Sequence, residues 1–252
     1  MAEINEKNKE NKLNLQLKDA DARVIYHKYD KTWLNLTLIS FKEKRRVLST
    51  LDGIREVHHV GNVYVPGKLS MQHMTLQNYA KFERRLPKTL GIRRGDITFI
   101  CTGVDMEKVA FCEKTFGDYH ICCIATGGAR NNALRTGLDA GNWIENQTEM
   151  KPASGTINIL LLTNVSLTWG AMARAIVTAT EAKTAALQDL GYMSTPTPQV
   201  QATGTGTDNV VVVSGVNPNI TIKHTGGHTK MGELIGIAAK TAVTEALIKH
   251  DN

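Results

Sequence analysis

From Thr156 the chain runs through an apolar stretch to Thr163, turns at Asn164 to Thr168, and enters a helical stretch from about Gly170 to Leu190. In the last of these, Met172, Ala175, Ile176, Ala179, Ala182, Ala186 and Leu190 recur at steps of three and four, which collects them on one helical face. That face is mostly alanine, so the helix can lie close against a sheet. A strand, a turn and a long helix of this kind constrain the fold more than any other stretch. A second helix, from roughly Thr229 to Lys249, repeats the design with Met231, Leu234, Ile235, Ala238, Ala242 and Ala246. Between the two helices, Pro196 and Pro198 end the first, Ala202 to Asp208 forms a glycine-rich turn, and strands follow at Val210 to Val213 and Ile220 to Lys223.

The first half reads differently. β-rich runs at Arg23 to His27, Leu34 to Ser40, Arg46 to Thr50 and His58 to Val65 predict an antiparallel sheet. A helix is expected from Met74 to Leu86, closed by Pro87 and Gly91. Strands at Ile97 to Thr102 and His120 to Ala125 follow, the second opening into Thr126-Gly-Gly-Ala-Arg-Asn-Asn132, read as a glycine turn at a helix start. The order supports an α/β or α+β class, a mixed sheet with packed helices, strands dominating the first half. A chain of 252 residues accommodates one large or two small domains. The Asn-, Lys- and Glu-rich beginning suggests a flexible leader over 1–20 and a single domain over 21–252.

Composition narrows the partners. Apolar residues at 42% and charged residues at 21% are globular values. The net charge of +6 comes with basic groups at Lys42 to Arg46 and Arg84 to Arg94 that lack interleaved aromatics, so they read as solvated faces rather than a nucleic-acid surface. Cys101, Cys112, Cys122 and Cys123 have no zinc or redox spacing and are expected as reduced, buried thiols. No apolar run approaches about 18 residues and the first segment lacks an apolar core, so the expectation is a cytoplasmic protein without a membrane partner. Oligomeric state is left open, a homo-oligomer included.

Three stretches carry residues suited to chemistry. Thr203-Gly-Thr-Gly-Thr-Asp208 precedes a strand rather than opening a helix, which argues against a dinucleotide loop; its parts suit an amide or an oxyanion instead. Thr203 and Thr205 are expected to bind substrate, and Thr207 and Asp208 to take part in catalysis. An ordinary glycine turn fits the spacing equally well. Thr225-Gly-Gly-His228-Thr229-Lys230 sits at a helix start, where His228 could move protons and Thr229 and Lys230 could bind substrate. His224, His228 and Glu233 are weighed as metal ligands, but the spacing is not a metalloprotease pattern, so no metal is expected. In the third stretch Thr126, Gly127, Asn131 and Asn132 occupy the crevice position at a strand end and could pair with amides, although ordinary capping explains them as well. Asn158 is added as a substrate-binding residue. Glu181 and Lys183 lie in the alanine-rich helix; Glu181 is carried as a substrate contact, while each on its own reads as a surface charge. Asp118-Tyr-His120-Ile-Cys-Cys123 is a weak imitation of a cobalt-binding motif and is set aside.

Four segments, G-T-I-N-I-L-L-L at 155–162, T-A-T-E-A-K-T-A-A-L-Q-D-L at 178–190, A-T-G-T-G-T-D at 202–208 and H-T-K-M-G-E-L-I-G at 228–236, resemble the adenosylcobinamide amidohydrolase family of corrinoid salvage. The resemblance implies hydrolysis of the amide joining aminopropanol to the corrin of adenosylcobinamide, giving adenosylcobyric acid, with no required cofactor because the substrate carries the cobalt. A water molecule or a threonine would attack, with Asp208 or His228 handling protons. Two rivals remain: a corrinoid carrier that cleaves nothing, and an acyltransferase or autoprocessing hydrolase in which a threonine of one of these turns becomes a new amino terminus. The shared expectation is that the three stretches converge on one cavity.

Overall fold

The computed structural model describes residues 10–67, 69, 76–141 and 155–251. Its largest element is a nine-stranded mixed sheet that curls over on itself. Strands β1 (Glu10–Leu13), β2 (Ala20–Tyr29), β3 (Thr32–Ser49) and β4 (Gly53–Tyr64) form an antiparallel meander, and β5 (Ile97–Thr102) joins β4 in parallel. The other half holds β6 (Ala110–Phe116), β7 (Tyr119–Gly127), β8 (Ile157–Thr163) and β10 (Asn209–Val213), with β10 parallel to β8 and antiparallel to the end of β3. Two short strands, β9 (Val165–Leu167) and β11 (Asn217–Ile222), pair separately.

Period-two alternation sorts the side chains into layers. On β8, Ile157, Ile159 and Leu161 face the long helices α2 (Trp169–Asp189) and α3 (Lys230–Asp251), whereas Leu160 and Leu162 face inward. The inward set meets Val24, Ile39, Val47, Val60 and Ile100 of the first half, so the two halves stack face to face. Beyond the first half, Tyr29, Leu36 and Phe99 pack on Phe82 and Leu86 of α1 (Leu76–Thr89). The result is four layers: two helices, a sheet half, a second sheet half and one helix. Alanines 175, 179, 182 and 186 of α2 are in the helix–sheet core, as their spacing predicts, and Thr168 caps the helix by accepting from the Ala171 amide.

The α/β class with a mixed sheet is thus observed, and several boundaries differ. The expected leader is cut short: Glu10–Leu13 pair with β2, Leu17 is buried, and Glu113 accepts from the amides of Gln16 and Leu17. Leu13, Leu15 and Leu17 are partly or fully buried although only Leu13 lies in a strand, a signal that the surrounding polar residues disguise. Two expected strands are one 18-residue strand, β3, because a register shift between Ser40 and Arg45 carries the exposed Lys42, Glu43 and Lys44 without ending the pairing. β6 was not foreseen; as an edge strand with Glu113 and Lys114 it has a weak apolar signature. The expected start of α1 at Met74 lies outside the described residues, and Pro87 falls inside the last turn of the helix instead of ending it. The helix expected after Asn132 is replaced, over the described residues 128–141, by turns.

Candidate active site

Two of the three chemically suited stretches meet, and the third lies elsewhere. The turn after β7 and the loop before β10 are joined by backbone bonds from Leu134 N to Gly204 O (2.8 Å) and Thr203 N to Leu134 O (2.9 Å). Thr136 N adds a bond to Thr203 Oγ1 (2.9 Å). Both segments close on residues 155–158 at the start of β8, where the Asn132 side chain donates to Gly155 O (2.6 Å) and the Thr207 hydroxyl donates to the same oxygen (3.3 Å). Gly127 and Gly128 pack on Leu247 and His250 in the last turns of α3. Residues 225–229, in contrast, form the other end of α3: Thr229 Oγ1 accepts from Gly232 N (3.0 Å), and Thr225 bonds Ala171 and Thr178 of α2. A 22-residue helix is about 33 Å long. The expectation of one cavity shared by all three stretches is therefore corrected. The apolar stripe of α3 fixed the helix, but its two ends belong to different faces of the molecule.

The β8 side is held by an ion pair. Lys183 extends from α2 to Asp208 (Nζ to Oδ2, 2.5 Å), both side chains being about a tenth exposed. Asp208 Oδ1 also accepts from Thr205 Oγ1 (2.5 Å) and Ile157 N (2.9 Å), and Oδ2 accepts from Thr205 N (3.1 Å). These four donors occupy the acceptor positions of a carboxylate, so Asp208 locks the loop to β8 and α2 rather than presenting a free oxygen. A Cβ at Gly204 would lie 2.5 Å from Asp208 Oδ2 and 2.7 Å from Lys183 Nζ, so any larger residue there must displace the ion pair. The Thr205 hydroxyl is buried and gives its proton to Asp208, so Thr207 Oγ1, exposed and 3.2 Å from it, keeps its own proton for Gly155 O.

A polar cluster continues from this loop into the space between the sheet halves. Asn158, fully buried, donates to Asn62 Oδ1 (2.9 Å) and Cys101 O (2.9 Å), and Asn62 donates to Thr126 Oγ1 (2.8 Å). Thr156 stands just before β8, two residues ahead of Asn158, and its hydroxyl donates to Thr207 O (2.8 Å). Two acceptors are left over: Asn158 Oδ1 and Asn132 Oδ1 are both buried without a partner. Each orphan of that kind costs about 1–3 kcal/mol. Tyr79 approaches Cys101 Sγ at 3.9 Å, and burial drives the Tyr79 hydroxyl up and the Cys101 thiol up to about 12. Cys101 is thus a neutral thiol near neutral pH and not a nucleophile.

The remaining expected site residues divide accordingly. Asn131 is exposed on the turn. Glu181, Thr178, Arg174, His224 and His228 line a separate cleft of about 640 Å³ beside the start of α3. His228 sits near Arg174, nine residues or about 14 Å along α2 from Lys183. Thr229 caps α3, and Lys230 pairs with Glu233 (2.6 Å). Among the described residues no group of three His, Cys, Asp or Glu side chains is placed to hold a metal, and no helix is long and apolar enough to cross a membrane. Sequence reasoning read Lys183 as a surface charge and passed over Thr156 and Asn62. Lys183 had a signal, for it stands four residues after Ala179 and three before Ala186, on the buried stripe. All four cysteines are free thiols, Cys122 and Cys123 fully buried.

The layers and this cluster define a mixed α/β protein with a Thr- and Asn-lined centre at the end of its inter-sheet space, furnished with donors for a carbonyl oxygen. A family model described as adenosylcobinamide amidohydrolase matches residues 19–252, and the chain belongs to that family. It is 36% identical over 222 residues to the adenosylcobinamide amidohydrolase of Methanosarcina mazei, covering 84% of this chain and 90% of that protein. It is also 44% identical over 224 residues to an uncharacterized protein of Methanocaldococcus jannaschii, covering 85% and 86%. Two solved structures resemble it faintly, each at 12% identity. One is a Pyrococcus horikoshii protein (TM-score 0.44, covering 86% of this chain and 78% of that one), the other an Ochrobactrum anthropi L-aminopeptidase D-Ala-esterase/amidase (TM-score 0.41, covering 96% and 83%).

Proposed function

We propose that this chain hydrolyses the amide joining aminopropanol to the corrin of adenosylcobinamide, releasing adenosylcobyric acid for corrinoid salvage. It acts in the cytoplasm and needs no cofactor of its own, the cobalt belonging to the substrate. The family supplies the substrate class. The observation that carries the chemistry is the convergence of Asn132 Nδ2 and Thr207 Oγ1 on one carbonyl oxygen, that of Gly155. Amide hydrolysis develops negative charge on such an oxygen, and a fixed donor aimed at it contributes roughly 3 kcal/mol of transition-state stabilisation. The rim of primary amides on a corrin makes choosing one secondary amide a matter of positioning. The side chains of Thr126, Asn158, Thr203 and Thr205 shape and stiffen that corner. Asp208 serves as a positioning residue for the loop that carries Thr207. His228, in the other cleft, is assigned no part at this centre.

Purified protein incubated with adenosylcobinamide, with both products followed by mass spectrometry, tests the reading. Free aminopropanol and adenosylcobyric acid in equal amounts are expected. A corrinoid that binds, seen as a change in its visible spectrum, yet releases no aminopropanol would mark a carrier and overturn the assignment.

A further inference from the structure

We propose that the chain cuts its own Gly155–Thr156 peptide bond, and that the amino-terminal threonine so produced is the nucleophile of the amide hydrolysis; the second half rests on the function proposed above. Four observations meet at this bond. Gly155 has φ +111°, a region open to glycine, and a Cβ there would lie 2.5 Å from Gly128 O and 2.9 Å from Asn132 Oδ1, so the backbone is pressed into a place no other residue fits. Its carbonyl oxygen already sits on two donors, Asn132 Nδ2 and Thr207 Oγ1, an arrangement that stabilises the tetrahedral oxyanion of attack on that carbon. The hydroxyl next in the chain, that of Thr156, is buried and held by Thr207 O, and the following amide, Ile157 N, is clamped by the Asp208–Lys183 pair. Finally, Asn132 Oδ1, buried without a partner, lies against Gly155, and a second orphan, Asn158 Oδ1, belongs to the residue two positions after Thr156. Stranded acceptors beside a peptide bond are explained if that bond is replaced by an amine, which brings new donors.

The chemistry balances with water alone. Thr156 Oγ1 attacks the Gly155 carbonyl carbon, the hydroxyl proton passes to the Thr156 nitrogen, and the C–N bond breaks to leave an ester and a free amine. Water then adds to the ester; its oxygen stays on Gly155 as a carboxylate and Thr156 regains its hydroxyl. A hydroxyl is a poor nucleophile unaided, but a single turnover can be slow, and the new α-amine then serves as base for the Thr156 hydroxyl on later substrates. An α-amine ordinarily titrates near 7.7–8.0, roughly right for that role at neutral pH. After departure of the Gly155 carbonyl, the same two donors are free for the substrate's amide oxygen, so one oxyanion site serves both reactions.

Denaturing mass spectrometry and amino-terminal sequencing of the purified full chain, after incubation at neutral pH, read the cleavage independently of any corrinoid. The expected result is two polypeptides that co-purify, one ending at Gly155 and one beginning at Thr156. Thr156→Ala should remain one chain, Thr156→Ser should still cut, and Asn132→Ala should slow the cut by roughly 10²- to 10³-fold. Circular dichroism of Thr156→Ala, matched to that of the uncut wild type, separates lost chemistry from lost folding, and cutting by Thr156→Ser keeps the idea exposed if Thr156→Ala misfolds. An intact single chain that releases aminopropanol at full rate overturns the proposal while leaving the proposed function standing. A cut chain that releases none refutes the function and the nucleophile while retaining the cleavage.

Discussion

Replacing Lys183 with methionine removes the cation from a nearly enclosed ion pair while keeping the length of the side chain. Breaking a fully buried pair by deleting one partner costs about 3–5 kcal/mol. Here Asp208 is 12% exposed and keeps three of its four donors, Thr205 Oγ1, Thr205 N and Ile157 N, so the loss should be smaller, about 2–3 kcal/mol. For a chain of this size 1 kcal/mol moves the melting temperature by roughly 2–4 °C, which places the expected drop at about 5–10 °C. Thermal unfolding and urea titration of Lys183→Met, Asp208→Asn and the double variant measure it as a cycle. The double variant should be about 1.5–2 kcal/mol more stable than the sum of the single losses, because each single change strands the other partner. Additivity within about 0.5 kcal/mol would mean that the two groups do not depend on each other, and the account of the loop as pinned from α2 would fail.

Further outcomes follow from the same coordinates. Burial holds His27 and His59 below the ordinary histidine value, so the unfolded chain takes up protons first. Their contribution is complete above about pH 6.5 and is lost as pH falls below it; melting temperatures at pH 8 and pH 5.5 should differ less in a His27→Gln/His59→Gln double variant, and an unchanged difference would contradict this. Burial also pushes the thiols of Cys101, Cys122 and Cys123 up, so a thiol reagent at pH 8 should label Cys112 at most until the protein is unfolded, with mass spectrometry counting the adducts. Prolonged dialysis against a chelator should leave aminopropanol release intact; loss restored by added zinc would show that a metal assists. Gly204→Ala should lower the melting temperature by driving Asp208 and Lys183 apart, and normal stability would show that the loop can yield.

Much of this architecture could be read from residue order. The alanine stripe of α2, the valines of β10 and the apolar run of β8 gave their elements to within a residue or two. Patterns failed where burial is one-sided or charged: β6 on an edge, the Lys42–Lys44 bulge in β3, and the leucine alternation at 13–17. For the candidate site, local signals singled out Thr126, Asn132 and the Thr203–Asp208 loop, which the fold brings together at the start of β8. Which of them meet depends on pairings between distant strands, and no periodicity encodes those. His228 illustrates the gap: a proton-moving side chain beside a glycine turn, it lies at the opposite end of a helix from the Gly127–Gly128 turn. Lys183 illustrates the reverse, a cation whose position in an apolar stripe announced its burial.

Strand β10 is inserted between β3 and β8, pairing residues 211–213 with 47–49. That contact spans about 160 positions along the polypeptide, so everything through β10 must leave the ribosome before the two halves of the sheet can be stitched together. Assembly dominated by pairings this remote is slow, in the range of milliseconds to seconds. Until the last fifth of the sequence arrives, the edges of β3 and β8 are open to other chains, and the yield of native protein should depend on how long that interval lasts.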